Sequence, residues 1–251
     1  MDPVLFGVFT VGLFAGFINV IVGSGSTIMI PILIILGFPP HVAVATNRFA
    51  MIFNNGTGAV AYYRAGYLNV TAAVVFSVFA AIGAPLGALV VLKTPPQAIV
   101  VLVAVVLVAE AAFVFFFRDR LGAKERAFAL TRQNVVLGAI AGFAVGLYGG
   151  FLGMAITTML MFVFVAAFAF TMLQSAAVTK VLTLVISVAA TGIFILSSKV
   201  DFVSGAVLVC AYVIGGYLGV RSAIAWGDRR VSMLFVAVAT LSAGKLLLDI
   251  V

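Results

Sequence analysis

Long uninterrupted apolar blocks limit what this chain can become. "AAVVFSVFAAIGAPLGALVVL" (72–92) and "AIVVLVAVVLVAEAAFVFFF" (98–117) each reach about the ~20 residues that cross a bilayer core. Lipid offers no partner to a backbone N–H or C=O, so a spanning segment must be a helix or part of a closed barrel. The blocks lack the period-two alternation of a barrel strand, which leaves helices. Composition agrees: 65% of the 251 residues are hydrophobic and 8% are charged, too few charges to clothe a soluble domain. The expected fold class is an all-α polytopic membrane protein with the lipid bilayer as its surroundings.

Ten apolar segments can be drawn, near 4–22, 25–38, 41–63, 68–92, 97–117, 134–148, 151–170, 172–197, 202–225 and 230–250. The second and sixth are short, as half-helices or re-entrant segments are. "MDPVLFGVFTVGLFAGF" has no basic leader and reads as the first span rather than a signal peptide. "GFPP" (37–40) and "KTPP" (93–96) are Gly/Pro stops. Trp226, Tyr62, Tyr63 and Tyr67 fall near span ends, where aromatic residues form interfacial belts.

The net charge of +7 is a topology signal once the charges are placed, and it gives no reason to expect nucleic acid. Five of the fourteen basic residues lie in "RDRLGAKERAFALTR" (118–132), which the positive-inside bias assigns to the cytoplasm. Alternation then brings Arg64, Arg221, Arg229 and Arg230 inside as well, against Lys93, Lys199 and Lys245 outside. Both termini are then expected on the external side of the membrane. Arg48 and Lys180 remain, each within a span.

The chain also resembles itself. A shift of 132 residues lays "GAPLG" (83–87) on "GGYLG" (215–219), Arg48 on Lys180 and Asn47 on Thr179. Near the start of each half the better shift is about 126, with "AGFINVIVGSGS" (15–26) facing "AGFAVGLYGGFL" (141–152). The expected organisation is a first membrane repeat over 1–117, a basic loop over 118–133 and a second repeat over 134–251. Five segments per half would turn the second half upside down, a frequent plan of secondary transporters.

The third segment of each half carries the polar residues. Asn47 and Asn54, like Arg48 and Asn55, stand seven apart and share one helix face, which Gly58 continues. In the second half Lys180, Thr183, Ser187 and Thr191 make the matching stripe. A charge at the bilayer centre costs roughly 2.5–3.5 kcal/mol, so it is kept only with a partner, a wet cavity or a charged ligand. Glu110 is the one carboxylate placed deep in a span, leaving one cation in excess. Either Arg48 and Lys180 are structural, snorkelling or paired with Glu110, or they receive a small anion. The matched positions and polar stripes favour the anion, with the guanidinium as a fork and the ammonium as a point charge.

The expected site is therefore Arg48 and Lys180, lined by Asn47, Asn54, Asn55, Thr179 and Thr183. "GSGST" (23–27) adds Ser24, Ser26 and Thr27, whose hydroxyls can cap a half-helix aimed at an anion. Close helix packing through small residues is the competing reading of that stretch and of "YGGFLGM" (148–154). Asn19 is either a further lining residue or a helix-to-helix contact. Glu110 is either a proton carrier for coupling or a fixed counter-ion. One cysteine, Cys210, forms no internal disulfide, and one histidine, His41, no metal cluster, so neither metal nor cofactor is expected. No nucleophile–base pair or phosphate loop marks an enzyme. A passive anion channel is the alternative to a carrier, and homo-oligomerisation is left open.

These residues together resemble the sulfite exporter TauE/SafE family of prokaryotic membrane proteins. The resemblance rests on "AGFINVIVGSGSTIMIPIL" (15–33), "ATNRFAMIFNN" (45–55) with "YYRAGYLN" (62–69), and "AVTKVLTLVIS" (177–187) followed by "GGYLG". The first break departs from the family's Gly-Gly-Gly form, reading Gly23, Ser24, Gly25. The resemblance implies export, across the inner membrane, of a small sulfur-containing anion such as sulfite, sulfoacetate or a related organosulfonate.

Overall fold

The computed structural model describes residues 3–117, 132–168 and 170–250. The basic loop from 118 to 131, and with it the expectation of a cytoplasmic face there, lies outside the described residues. The described residues form helices and connecting turns, with no strand. In chain order the helices are α1 (Pro3–Ile21), α2 (Gly25–Ile35), α3 (Pro40–Arg64), α4 (Val70–Lys93), α5 (Pro96–Phe117), α6 (Arg132–Phe151), α7 (Ile156–Phe168), α8 (Met172–Leu196) and α9 (Phe202–Ile250). Gly227, at φ 71° and ψ 173°, breaks α9 between the ninth and tenth expected segments. Such a conformation costs glycine little, for want of a Cβ. Four helices, α1, α4, α8 and the 202–231 part of α9, are long and apolar enough to cross a membrane. This is a multi-pass helical membrane protein.

The short helices are α2 and α7, of 11 and 13 residues. At 1.5 Å per residue they extend about 16 and about 20 Å, well short of a bilayer core. The sixth segment, expected to be short, is a helix of 20 residues. Gly149 and Gly150 do not stop it, because their missing side chains are filled by neighbours. A Cβ on Gly150 would stand 1.9 Å from the Ala84 carbonyl oxygen of α4. The stop comes at Gly153, with φ 65°, followed by Ala155 at φ 59°. In the first half the stop is Gly23, at φ 93°.

Helix partners come in exchanged couples. α1 packs on α9 as α6 packs on α4; α3 packs on α9 as α8 packs on α4; α3 and α8 pack on each other. The correspondence extends to single residues. A Cβ on Gly83 or Gly87 would stand 2.4 or 2.0 Å from the carbonyl oxygens of Phe143 and Leu147. On Gly215 or Gly219 it would stand 2.2 or 2.5 Å from those of Leu13 and Phe17. The glycines are 132 apart and their partners 130 apart. Small residues let these backbones touch, the usual device for helix association in lipid. At the start of each half the packed positions stand 130 apart, against about 126 from the sequence comparison, and a spacing of 130 sets Gly23 against Gly153 rather than Gly149.

Tyr62 also departs from expectation. It is fully buried and its hydroxyl donates to the Val20 carbonyl at 3.0 Å, which makes it a core residue rather than part of a belt. Tyr63 does face outward.

Candidate functional site

Both polar stripes are buried. Thr46, Asn47, Arg48, Asn54 and Asn55 on α3 are all nearly inaccessible, as are Ser175, Thr179, Lys180, Thr183, Ser187 and Thr191 on α8. The helical spacing that aligned these residues also keeps both stripes inside the bundle, on two helices that pack on each other.

The two cations end in matching places. Arg48 donates through Nη2 to the Gly149 carbonyl near the C-terminal end of α6. Lys180 donates through Nζ to the Asn19 carbonyl near the C-terminal end of α1, at 2.6 Å. Those carbonyls are 130 residues apart and the cations 132 apart, so the pairs correspond under the register set by packing. A helix C-terminus carries partial negative charge and orphan carbonyls, which suits a cation. Among the described residues neither cation pairs with a carboxylate. Arg48 Nε and Thr179 Oγ1 have no hydrogen-bond partner there either.

Around Lys180, Asn55 Oδ1 lies 3.5 Å from Nζ and also accepts from Asn19 Nδ2 at 3.4 Å. Asn54 is a bracket. Its Oδ1 accepts from Asn19 at 2.6 Å, and its Nδ2 donates to the carbonyls of Gly16 at 3.2 Å and Tyr212 at 2.9 Å. It thereby fastens α1, α3 and α9 together. Around Arg48, Asn47 donates to Ser26 Oγ at 3.0 Å and accepts from the Tyr212 hydroxyl at 2.7 Å. The guanidinium lies over Gly153, where a Cβ would come within 1.5 Å of Nη2. Thr183 donates to the Thr179 carbonyl of its own helix at 2.7 Å. Arg48 and Asn55 are seven residues apart on α3, so the two centres are spaced by about 10 Å along that helix.

The serines and threonine of the first break do not cap α2. Ser24 occupies the cap position at φ −88° and ψ 17° without a side-chain bond to the helix. That backbone is not the extended conformation from which a cap hydroxyl reaches the first N–H groups. Gly25 N–H donates instead to Asn19 Oδ1 at 3.3 Å. Ser24 and Thr27 turn to Glu110, donating at 3.2 and 2.7 Å, and Thr158 of α7 adds a third hydroxyl at 2.7 Å. Glu110 is thus held by three hydroxyls and, among the described residues, makes no ion pair with Arg48 or Lys180. Ser26, the partner of Asn47, faces the other way.

Sequence reading did not single out Tyr148, Thr158 or Tyr212. Tyr212 was open to detection, because a tyrosine in the middle of an apolar span needs a partner for its hydroxyl. Thr157 and Thr158 likewise interrupt an apolar helix.

The family model described as "Sulfite exporter TauE/SafE" matches residues 8–246. The chain belongs to the sulfite exporter TauE/SafE family. Curated TauE/SafE relatives align along almost the whole length. A probable membrane transporter protein from Sinorhizobium sp, ORF9, is 29% identical over 96% of this chain and 91% of its own. The Escherichia coli K12 probable membrane transporter protein YfcA is 26% identical over 99% and 92%. A probable membrane transporter protein of Haemophilus influenzae is 24% identical over 96% and 93%. No solved structure matches. Membership makes this TauE/SafE chain one of a family of membrane transporters, and the buried cations are its most distinctive chemistry.

Proposed function

We propose that this protein is a secondary transporter that exports a small sulfur-containing anion across the inner membrane, with Arg48 and Lys180 as the anion's cationic contacts. The observation that carries the reading is the matched pair of buried cations, each tied to a neutral carbonyl and to no described carboxylate. A carbonyl satisfies a donor but does not balance a charge. An arriving anion does, which repays the burial of both cations. Arg48 Nε and Thr179 Oγ1 are donors still free to meet oxyanion oxygens. Sulfite and organosulfonates present such oxygens on one sulfur, a shape the guanidinium fork accepts.

The spacing of the two centres means that a small anion engages one cation at a time. Asn47, Ser26 and Tyr212 belong to the Arg48 centre, and Asn19 and Asn55 to the Lys180 centre. Asn54 and Thr183, whose hydrogen bonds are already committed, position their neighbours. The exchanged helix packing supports two inverted halves that rock against one another, with loop 118–132 on the cytoplasmic side. Two short helices with buried breaks suit that plan, since irregular backbone at membrane depth is tolerated inside protein or along a wet path.

Titration of purified protein with sulfite, followed by thermal shift, tests the assignment. Wild type is expected to gain stability with sulfite, R48M and K180M, folded by size-exclusion profile, to gain less, and the double variant to gain none. Equal stabilisation of wild type and both variants would sink it. Electrical recording separates carrier from channel: macroscopic anion currents would favour the channel.

A further inference from the structure

We propose that Glu110 takes up and releases a proton through a chain of hydroxyls that has two complete hydrogen-bond arrangements, and that this group couples anion movement to the proton gradient. The coupling half of the proposal rests on the transport reading above; the protonation half does not.

Glu110 lies on α5, and its carboxyl group is met by residues from both halves. With the carboxylate ionised, Thr27 donates to Oε2 at 2.7 Å, while Thr158 and Ser24 donate to Oε1 at 2.7 and 3.2 Å. Thr27 also accepts from Ala155 N–H at 3.2 Å, so its oxygen joins the second-half break to the carboxylate. Every hydroxyl proton is then directed at Glu110.

The same atoms support a second arrangement. Ser24 Oγ lies 3.3 Å from Thr158 Oγ1, and Thr158 Oγ1 lies 3.3 Å from the Val22 carbonyl. When a proton arrives on Oε1, that O–H donates to Ser24. The Ser24 hydroxyl turns to Thr158, and the Thr158 hydroxyl turns to Val22. Thr27 keeps its bond to Oε2. One proton is added and donates one new hydrogen bond, two hydrogen bonds are redirected by hydroxyl rotation, and no donor or acceptor is left over. An ordinary buried carboxylate pays for protonation with stranded donors; this one has acceptors waiting for them.

The redirection has a mechanical consequence. In the ionised form three donors hold α5 to the first break, α2 and α7. In the protonated form the Thr158 hydroxyl is released from α5 to the unwound Val22 carbonyl of the first break. The proton thus shifts a bond of α7 from α5 to the segment that must flex if one half rocks against the other.

The other ionisable groups leave this exchange to Glu110. Tyr148 of α6 lies within electrostatic range of both Glu110 and Arg48 of α3, and its hydroxyl is committed to the Met154 carbonyl at 2.9 Å. α2 and α7 present only hydroxyls to the carboxyl group. α3 and α9 also pack on α5, and their described charged side chains, Arg48, Arg64, Arg221, Asp228, Arg229 and Arg230, form no ion pair with it.

Infrared difference spectra of purified protein in nanodiscs, recorded between acidic and alkaline buffer, test the protonation directly. Wild type is expected to show a carboxylic-acid C=O band that titrates. The band should vanish in E110Q and move in frequency in S24A and T158V. A titrating band unchanged in all three variants overturns the proposal. Proteoliposomes loaded with sulfite test the coupling. An imposed pH gradient should raise wild-type efflux several-fold and leave E110Q efflux unaffected. Gradient-driven efflux of wild-type size in E110Q, or stimulation by a sodium gradient in place of a pH gradient, overturns it. Absence of sulfite efflux in every proteoliposome counts against the sulfite reading and leaves the infrared result to decide Glu110.

Discussion

Arg48 and Lys180 make the same bond in opposite halves: one donates to the Gly149 carbonyl, the other to the Asn19 carbonyl, at the corresponding point of α6 and α1. Each cation projects from the third helix of its own half and ends on the first helix of the other. The halves are therefore tied at two polar points as well as through the glycine-lined contacts. Any shift of α3 against α6, or of α8 against α1, must stretch or exchange these two bonds.

Gly153→Ala should be among the most damaging single-methyl changes in the chain. The new methyl would fall 1.5 Å from Arg48 Nη2, on a residue held at φ 65°. Both the strained backbone and the displaced guanidinium count against it, so a loss of about 2–4 kcal/mol is expected. Gly56→Ala is the control, since a Cβ there meets nothing within 4 Å. Thermal unfolding in detergent should show a large drop for the first and no drop for the second.

The paired glycines make a symmetric prediction. Gly87→Ala presses on the Leu147 carbonyl and Gly219→Ala on the Phe17 carbonyl, where the Cβ would stand at 2.0 and 2.5 Å. Both should destabilise, each by about 1–3 kcal/mol, because a backbone neighbour cannot rotate away. Unfolding temperatures of the two single variants check it. A neutral result at either position would mean that the α4–α6 or α1–α9 contact is looser than these distances allow.

Much of this arrangement was legible in the sequence. The spans follow from apolar blocks, and the buried faces of α3 and α8 follow from seven-residue and three-to-four-residue polar spacing. The shift that equates Arg48 with Lys180 follows from the glycine patterns. What could not be read was where a polar side chain finds its partner across helices. Ser24 and Thr27 have the composition of a helix cap, yet a carboxylate 83 or more residues away takes their hydroxyls. The register of α1 against α6 was misplaced because a glycine that packs and a glycine that breaks a helix look alike in sequence. Gly150 is filled by α4, and Gly153 carries the positive φ.

Asn54→Ala should cost stability without touching a charge. Removing the carboxamide leaves the Gly16 and Tyr212 carbonyls and the Asn19 amide each short of one buried bond. A loss of about 1–3 kcal/mol is expected. Asn54→Asp keeps the acceptor for Asn19 but faces two carbonyls with no donor, so it should be no better at neutral pH. Thermal unfolding of both variants at neutral pH provides the comparison.

The Asn47–Tyr212 bond offers a cleaner measurement, because its two ends can be removed separately. Tyr212 donates to Asn47 Oδ1 at 2.7 Å, and both side chains are buried. Tyr212→Phe deletes only the hydroxyl and leaves the aromatic packing. Asn47→Ala deletes the acceptor together with the donor to Ser26. If the bond holds α9 against α3, the double variant should be less damaged than the sum of the singles by about 0.5–1.5 kcal/mol. Strict additivity in unfolding free energy would show that the hydroxyl contributes nothing through Asn47. The same variants report on the site: Asn47 neighbours Arg48 in sequence, so a freed Asn47 should weaken sulfite-induced stabilisation in Tyr212→Phe while leaving Lys180 and its asparagines intact.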